Sequence, residues 1–160
     1  MAKALSREAK DANLPVEIHI VKKLERITPP IDTINIRKIK NGLPKLINFL
    51  SRVPAVNIIS SDVTSDAYWW VKLDIDVSNA LAWRVVQELG YVLNYLSLTE
   101  GLPTVFKPVS PPPYLNGGVE YLSWVIESTY NYIDPKSIAK TLEGRLPRPV
   151  TDLSAWDMDE

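Results

Sequence analysis

The stretch Tyr68–Leu98 constrains the fold most, because its hydrophobic period changes from two residues to about 3.6. Between Trp69 and Val77 apolar residues alternate with polar ones after the second tryptophan, as in a strand with one face in a core. Ser78 or Asn79 can cap the helix that follows. Apolar residues then recur at helical spacing: Ala82, Val85, Val86, Leu89, Val92, Leu93 and Leu96. The sequence therefore predicts a strand followed by an amphipathic helix.

The residues before this unit predict further strands and one short helix. The alternating segment Val16–Val21 indicates a strand, and Ile31–Lys40 indicates a second strand around its isoleucines. Asn41-Gly42 is typical of a turn. Leucines and an isoleucine between Leu43 and Leu50 form an apolar stripe, which predicts a short helix, and Val56–Val63 predicts the next strand.

The residues after the long helix repeat this order. Thr104–Val109 predicts a short strand, and Pro108 places it at a sheet edge because proline cannot donate to the ladder. Val119–Tyr130 predicts a longer strand with two partly apolar faces, which indicates a central position. We expect Trp124, on one of these faces, and Trp69 to belong to the core. Asp134-Pro135 combines an N-cap residue with proline at the first helical position. We expect the last helix to start there and to end before Pro147.

The order strand–strand–helix occurs three times in this interpretation, and from Tyr68 onward it matches most of a split βαβ plan. We therefore predict an α+β fold, with a mainly antiparallel sheet and helices packed on one face, in a ferredoxin-like or duplicated ββα-type arrangement. We expect residues 1–146 to form a single domain, with residues 1–13 as a flexible or helical extension. Residues 147–160 form a proline-containing acidic tail.

The composition excludes several kinds of chemistry. The chain has 160 residues and no cysteine, which excludes disulfides and thiolate metal sites. His19 is its one histidine, so most catalytic dyads and histidine metal sites are excluded as well. The N-terminus lacks the apolar run of a signal peptide, and no apolar run reaches the roughly 20 residues that span a bilayer. We expect a cytoplasmic protein with no membrane partner.

The net charge of −1 conceals an asymmetry along the chain. Residues 1–52 hold 11 Lys and Arg against 5 Asp and Glu, a net charge of +6. Residues 53–160 hold 7 Lys and Arg against 14 Asp and Glu, a net charge of −7. A basic region can meet nucleic acid or an acidic partner, but its charges are scattered among isoleucines. We favour mutual neutralisation of the two parts within one domain.

Asp74 and Asp76 are the sharpest catalytic candidates. Residues two apart on a strand point to the same side, roughly 7 Å apart, a spacing at which two carboxylates can share Mg²⁺. No second carboxylate cluster and no glycine-rich phosphate loop accompany them. We therefore interpret both residues as the solvent-facing side of their strand, and we assign no catalytic residue, metal site or cofactor.

The aromatic residues are the stronger functional candidates, since tryptophan and tyrosine are favoured at protein interfaces and in ligand pockets. Trp70 lies on the charged face of its strand, where no core requires it, and Tyr114 lies in a proline-rich segment. Tyr121 belongs to the long strand. Trp156 belongs to the acidic tail, which can dock into a partner or pack on its own domain. These four residues are the predicted partner- or ligand-binding set.

We therefore expect a non-enzymatic binding protein that engages another protein through aromatic and acidic surface, as an inhibitor, immunity or regulatory protein does. The alternative is a small-ligand-binding or sensing domain with a pocket lined by tryptophan and tyrosine between the sheet and the helices. The second alternative is a metal-dependent enzyme that uses Asp74 and Asp76. Nucleic acid is disfavoured because the acidic residues near Trp70 repel phosphate. Formation of homo-oligomers stays open.

Overall fold

The computed structural model describes residues 33–109 and 121–157, and all its elements belong to one unit of the chain, Ile31–Glu160. The predicted strand at residues 16–21 and the extension at residues 1–13 lie outside the described residues. The elements follow in this order: α1 (Thr33–Leu50), β1 (Val56–Val63), β2 (Trp69–Asp76), α2 (Ala82–Thr99), β3 (Thr104–Pro108), β4 (Tyr121–Ser128), α3 (Pro135–Arg145) and α4 (Leu153–Trp156).

The four strands form one antiparallel sheet in the order β1-β2-β4-β3. The predicted central position of the long strand β4 and the predicted edge position of β3 are confirmed. Each antiparallel pair of consecutive strands is followed by a helix, so the described part contains the ββα order twice. The α+β class with an antiparallel sheet is confirmed.

One face of the sheet packs on the core. Alternate residues of β2 are at most 1 % exposed, and they meet the apolar sides of the three long helices. The buried members of β2 are Trp69, Val71, Leu73 and Ile75. Trp124 of β4 stacks on Phe106 of β3, with ring centroids 4.7 Å apart. The period of two in β2 therefore results from a strand that has a core on one face only.

The prediction of a second strand at residues 31–40 is wrong, because α1 runs through this segment and through the predicted turn at Asn41-Gly42. The buried residues of α1 recur every three or four positions, which is helical spacing: Ile39, Leu43, Leu46 and Leu50. The β-branched isoleucines and the Asn-Gly pair indicated a strand and a turn locally. Burial of the longer apolar stripe outweighs these local preferences.

Gly42 has a packing role within α1. A Cβ atom at this position would overlap with Oδ1 of Asp134 and would lie 3.1 Å from the backbone nitrogen of Lys136. Asp134 is the N-cap of α3, and its Oδ1 accepts a hydrogen bond of 3.0 Å from the Lys136 N–H. The predicted start of a helix at Asp134-Pro135 is confirmed, and glycine in α1 allows that cap to approach closely.

The edge strand β3 is shielded by a side chain of α2. The Phe106 N–H donates a hydrogen bond of 2.8 Å to Asn94 Oδ1, and Asn94 Nδ2 donates one of 3.2 Å to the Phe106 carbonyl. The amide of Asn94 thus takes the place of a neighbouring strand at this residue. Pro108 has no N–H to offer to a neighbouring strand. Both features reduce edge-to-edge pairing at β3.

Candidate functional site

The sheet face opposite the core forms the candidate site, which we call the open face. The residues with described side chains on it are Asn57, Ser60 and Asp62 of β1, Trp70, Lys72, Asp74 and Asp76 of β2, Val105 and Lys107 of β3, and Ser123, Val125 and Glu127 of β4. None of them is buried, and the described helices pack on the other face. The prediction that Trp70 lies on the charged face of its strand is therefore confirmed.

Trp70 lies between two carboxylates. The strand register places Asp62 of β1 on one side of Trp70 and Glu127 of β4 on the other. Side chains directly opposite on neighbouring strands have Cβ atoms about 4.5–5.5 Å apart, so the indole and both carboxylates form one continuous surface. Trp70 is half-buried, which leaves part of its ring in contact with solvent. Such a site combines apolar contact area with negative charge.

The open face carries four carboxylates and two lysines, but not every charge is available. Glu127 Oε1 lies 2.6 Å from Lys107 Nζ. Asp74 Oδ1 accepts a 2.6 Å hydrogen bond from Ser123 Oγ. Oδ1 of Asp76 accepts hydrogen bonds from the N–H and the hydroxyl of Ser78, at 3.0 and 2.6 Å. Asp62 is the exposed carboxylate next to Trp70, and its Oδ1 accepts a 2.8 Å hydrogen bond from the N–H of Val63 in the same strand.

Asp74 and Asp76 lie on the same face, as predicted. In the described part of the chain no group of three or more His, Asp or Glu side chains has the arrangement of a metal site. The two carboxylates bind neighbouring hydroxyls, which is the behaviour of solvent-facing residues that fix a turn and a strand pair.

The other predicted binding residues are not all brought to Trp70. Tyr121 holds the register position opposite Asp76, at the end of the open face away from Trp70. Tyr114 lies outside the described residues. Trp156 is 1 % exposed, and its Nε1 donates a 2.9 Å hydrogen bond to the Val150 carbonyl. This part of the tail packs on its own domain, so Trp156 does not contribute to a binding surface.

Sequence reasoning missed an aromatic surface on α2, which we call the aromatic stripe and define as Trp83, Tyr91 and Tyr95. Their side chains are 56 %, 61 % and 41 % exposed. The rings of Tyr91 and Tyr95 are stacked with centroids 5.2 Å apart. The signal was present in the sequence, since these positions fall outside the helical repeat of the apolar stripe of α2.

A third surface carries five of the eleven basic residues of the N-terminal part. Five exposed cations follow along and just after α1: Arg37, Lys38, Lys40, Lys45 and Arg52. No ion pair joins any of them to another described residue. Three of them, with Lys136, line a cavity of about 340 Å³ between α1 and α3. These five cations are thus exposed and have no ion-pair partner within the described residues.

Tyrosines line one cavity of the described part, which bears on the small-ligand alternative. Tyr130 and Tyr132 are stacked with centroids 5.3 Å apart and line a space of about 450 Å³ beside Thr104 and Thr129. Partial burial, and to a lesser degree the neighbouring Tyr130, raise the pKa of Tyr132. The cavity lies near the ends of β3 and β4 rather than between the sheet and the helices, where the predicted pocket was placed.

Comparison of this chain with protein-family models, with curated proteins and with solved structures found no match. In the described residues no helix has both the length and the apolar composition that are needed to cross a membrane. Functional inference for this protein therefore depends on the geometry and charge of its own surfaces.

Proposed function

We propose that this chain is a non-enzymatic binding protein whose open face engages a basic protein partner in the cytoplasm. The observation that carries this proposal is the position of Trp70 between Asp62 and Glu127. Tryptophan is the residue type most enriched among the side chains that dominate the binding energy of protein interfaces. The flanking carboxylates favour a cation next to the ring, either as an ion pair or over its face.

The partner is a protein rather than a nucleic acid in this proposal. The open face has four carboxylates against two lysines, and one lysine is paired with Glu127. Phosphates approaching Trp70 would meet Asp62 on one side and Glu127 on the other, and this repulsion opposes stacking of a base. A lysine or arginine side chain of a protein meets the same carboxylates favourably. Masking a basic surface of a partner is the action of an inhibitor, immunity or regulatory protein.

A pull-down with tagged protein from the native host's lysate tests this proposal, followed by mass spectrometry of the retained proteins. The wild-type chain is compared with Trp70→Ala and Asp62→Lys, at low and at moderate salt. We expect one stoichiometric partner with a basic surface, whose capture falls at least about tenfold in each variant, because removal of a central interface residue costs about 2 kcal/mol or more. Capture also weakens with salt, since the carboxylates contribute.

Trp83→Ala is the matched control, because it removes a tryptophan of α2 on the other side of the sheet. It should leave capture unchanged. Circular dichroism of each variant checks that the fold is intact. If Trp70→Ala and Asp62→Lys both retain every partner of the wild-type chain at the same level, the open face is not the binding surface and the proposal is wrong.

A further inference from the structure

A cavity of about 340 Å³ between α1 and the start of α3 is lined by four positively charged side chains. Arg37, Lys38 and Lys45 come from α1, and Lys136 comes from the first turn of α3. Both helices therefore contribute positive charge to one concave space. The other described residues that line it are Asn41, Gly42 and Asp134.

Close packing of the two helices brings these cations together. A Cβ atom at Gly42 would overlap with Oδ1 of Asp134 and would lie 3.1 Å from the backbone nitrogen of Lys136, so the glycine lets α3 approach α1 closely. Arg37 and Lys45 are about two helical turns apart and lie on the same side of α1. The cation of α3 is thereby placed beside those of α1.

The four cations have little opposite charge around them. None of them forms an ion pair with another described residue. Asp134 is the one carboxylate among the described residues that line the cavity, and its Oδ1 accepts the N–H of Lys136 as the N-cap of α3. Four positive charges and one negative charge leave a net charge of +3 on the lining. Like charges around one small space repel one another, and an anion between them relieves that repulsion.

The backbone at the start of α3 is already occupied and does not bind the anion. The N–H of Lys136 donates to Asp134 Oδ1, and the N–H of Ser137 donates to the Asp134 carbonyl at 3.0 Å. Pro135 has no N–H. The ammonium and guanidinium groups must therefore hold an anion, with the Asn41 amide as a neutral donor. Such a set of donors favours a ligand with several charged acceptor oxygens.

We propose that this cavity binds a small anion that carries two or more phosphate groups. One phosphate group carries about −1.5 to −2 charges at neutral pH, which is too little to balance a lining of +3, whereas two groups match it. The volume of the cavity lies at the lower end of the range of about 300–1,000 Å³ that is typical of small-ligand sites.

The composition of the lining favours a free polyphosphate over a nucleic acid. None of the described lining residues has an aromatic or aliphatic side chain, so a base finds no apolar surface there. Single-stranded nucleic acid is bound along a positively charged groove that also holds aromatic rings on which bases stack. The exposed aromatic rings of the described part belong to α2 and to the segment after β4 instead. Recognition in the cavity therefore rests on the phosphates alone.

Isothermal titration calorimetry of the whole chain with pyrophosphate, orthophosphate and ADP tests the proposal, in metal-free buffer at low salt. Pyrophosphate should bind at least about tenfold more tightly than orthophosphate, because its second phosphate group engages further cations. ADP should bind within about threefold of pyrophosphate, since the cavity offers its base no ring on which to stack. Roughly 0.5 M NaCl should weaken binding of all three ligands, because the three cations of α1 are exposed.

Removal of single charges tests whether the cavity itself is the site. Lys45→Gln and Lys136→Gln should each weaken pyrophosphate binding at least about tenfold, although the two residues belong to different helices. Lys45→Arg keeps a cation and should bind within about threefold of the wild-type chain. Lys40→Gln is the matched control, because it removes the same charge from the same helix but does not line this cavity. It should weaken binding by less than about threefold. Circular dichroism checks the fold of each variant.

Each of the following outcomes overturns the proposal. A titration without heat, together with an unchanged thermal unfolding temperature at about 10 mM pyrophosphate, would show that the anion does not bind the folded chain. Equal losses in Lys40→Gln and Lys45→Gln would show diffuse attraction by α1 instead of a site. A single-stranded oligonucleotide that binds at least about tenfold more tightly than pyrophosphate would assign the cations to nucleic acid.

This site is separate from the open face, because the described helices pack on the opposite side of the sheet. Trp70→Ala should therefore bind pyrophosphate as the wild-type chain does, and Lys45→Gln should capture the protein partner proposed above at the wild-type level. Loss of partner capture with retained pyrophosphate binding, and the reverse result, distinguish a failure of one proposal from a failure of the other.

Discussion

The indole nitrogen of Trp69 donates a hydrogen bond to the carbonyl oxygen of Ile133, 2.8 Å away and 64 residues later in the chain. Trp69 is 1 % exposed, so the bond lies in the core and ties β2 to the segment that precedes α3. The indole nitrogen of Trp124 is also buried, but it has no hydrogen-bond partner in the described part of the chain. The two core tryptophans thus differ in whether the indole N–H has a hydrogen-bond acceptor within the described residues.

Substitution by phenylalanine separates these two cases. Trp69→Phe should lower the free energy of unfolding by about 2–3 kcal/mol, because it leaves the buried Ile133 carbonyl without its donor and removes ring volume. Trp124→Phe removes an unpaired N–H together with ring volume, so its loss should be smaller, about 1 kcal/mol. Urea unfolding followed by circular dichroism measures both. Equal losses would mean that the Trp69 hydrogen bond contributes no net stability.

The sequence alone predicted the sheet face of both tryptophans correctly, because alternation in β2 and β4 records which side of each strand meets a core. It could not predict which indole would be hydrogen-bonded, since the donor and the acceptor come together only through the path of the chain after β4. The first half of α1 was missed for a related reason, whereas its second half agrees with the helix predicted between Leu43 and Leu50. Its Asn41-Gly42 pair indicates a turn locally, and only the approach of Asp134 explains a glycine there.

The candidate site likewise includes contacts that the sequence could not predict, because they depend on how distant segments come together. The position of Trp70 on a charged face was predictable from a period of two, whereas its two flanking carboxylates come from β1 and β4 and depend on strand order and register. The sequence could not show that Trp156 is buried, because this large apolar residue stands among acidic ones and belongs to no helical or strand repeat. Its burial follows from the short helix α4, which begins at the Asp152 cap.

Gly42→Ala should destabilise the protein even though alanine is the better helix former. The new Cβ would overlap with Asp134 Oδ1, so the cap of α3 or the contact between α1 and α3 must shift, and we expect a loss of about 1–3 kcal/mol. Gly144→Ala in α3 is the control, because a Cβ there has open space. It should raise stability by roughly 0.5–1 kcal/mol through helix propensity. Thermal unfolding of both variants should therefore give shifts of opposite sign.

Charge reversal at Arg37 of α1 and at Arg84 of α2 should change the free energy of unfolding in opposite directions. Arg37→Glu in α1 places a carboxylate near other cations and near the N-terminal end of the helix, and it should raise stability by roughly 0.3–0.5 kcal/mol. Arg84→Glu in α2 puts two like charges at positions i and i+4 and should lower stability by a similar amount. Chemical unfolding at low salt measures both effects, and about 1 M NaCl should reduce them. A loss of stability in Arg37→Glu would show that the α1 cations do not repel one another.

The free energy of unfolding at acidic pH should depend on Asp152, the N-cap of α4. Hydrogen bonds from the hydroxyl and the N–H of Ser154 hold the pKa of Asp152 below its ordinary value of 3.8. Because the folded-state pKa is lowered, the ionised cap stabilises the fold fully above pH 3.8, and this contribution is lost as the pH falls through the folded-state pKa.

Ser154→Ala removes the hydroxyl donor, so the pKa of Asp152 should return toward its ordinary value, which a carboxyl NMR titration measures directly. The variant should be less stable than the wild-type chain at neutral pH, and the difference should disappear in acid, where Asp152 is protonated in both proteins. Ser51→Ala is the control, because the Ser51 hydroxyl donates to the backbone carbonyl of Asn48 rather than to a carboxylate. A difference between Ser154→Ala and wild type that persists unchanged in acid would assign the effect to helix propensity instead of to the ionised cap.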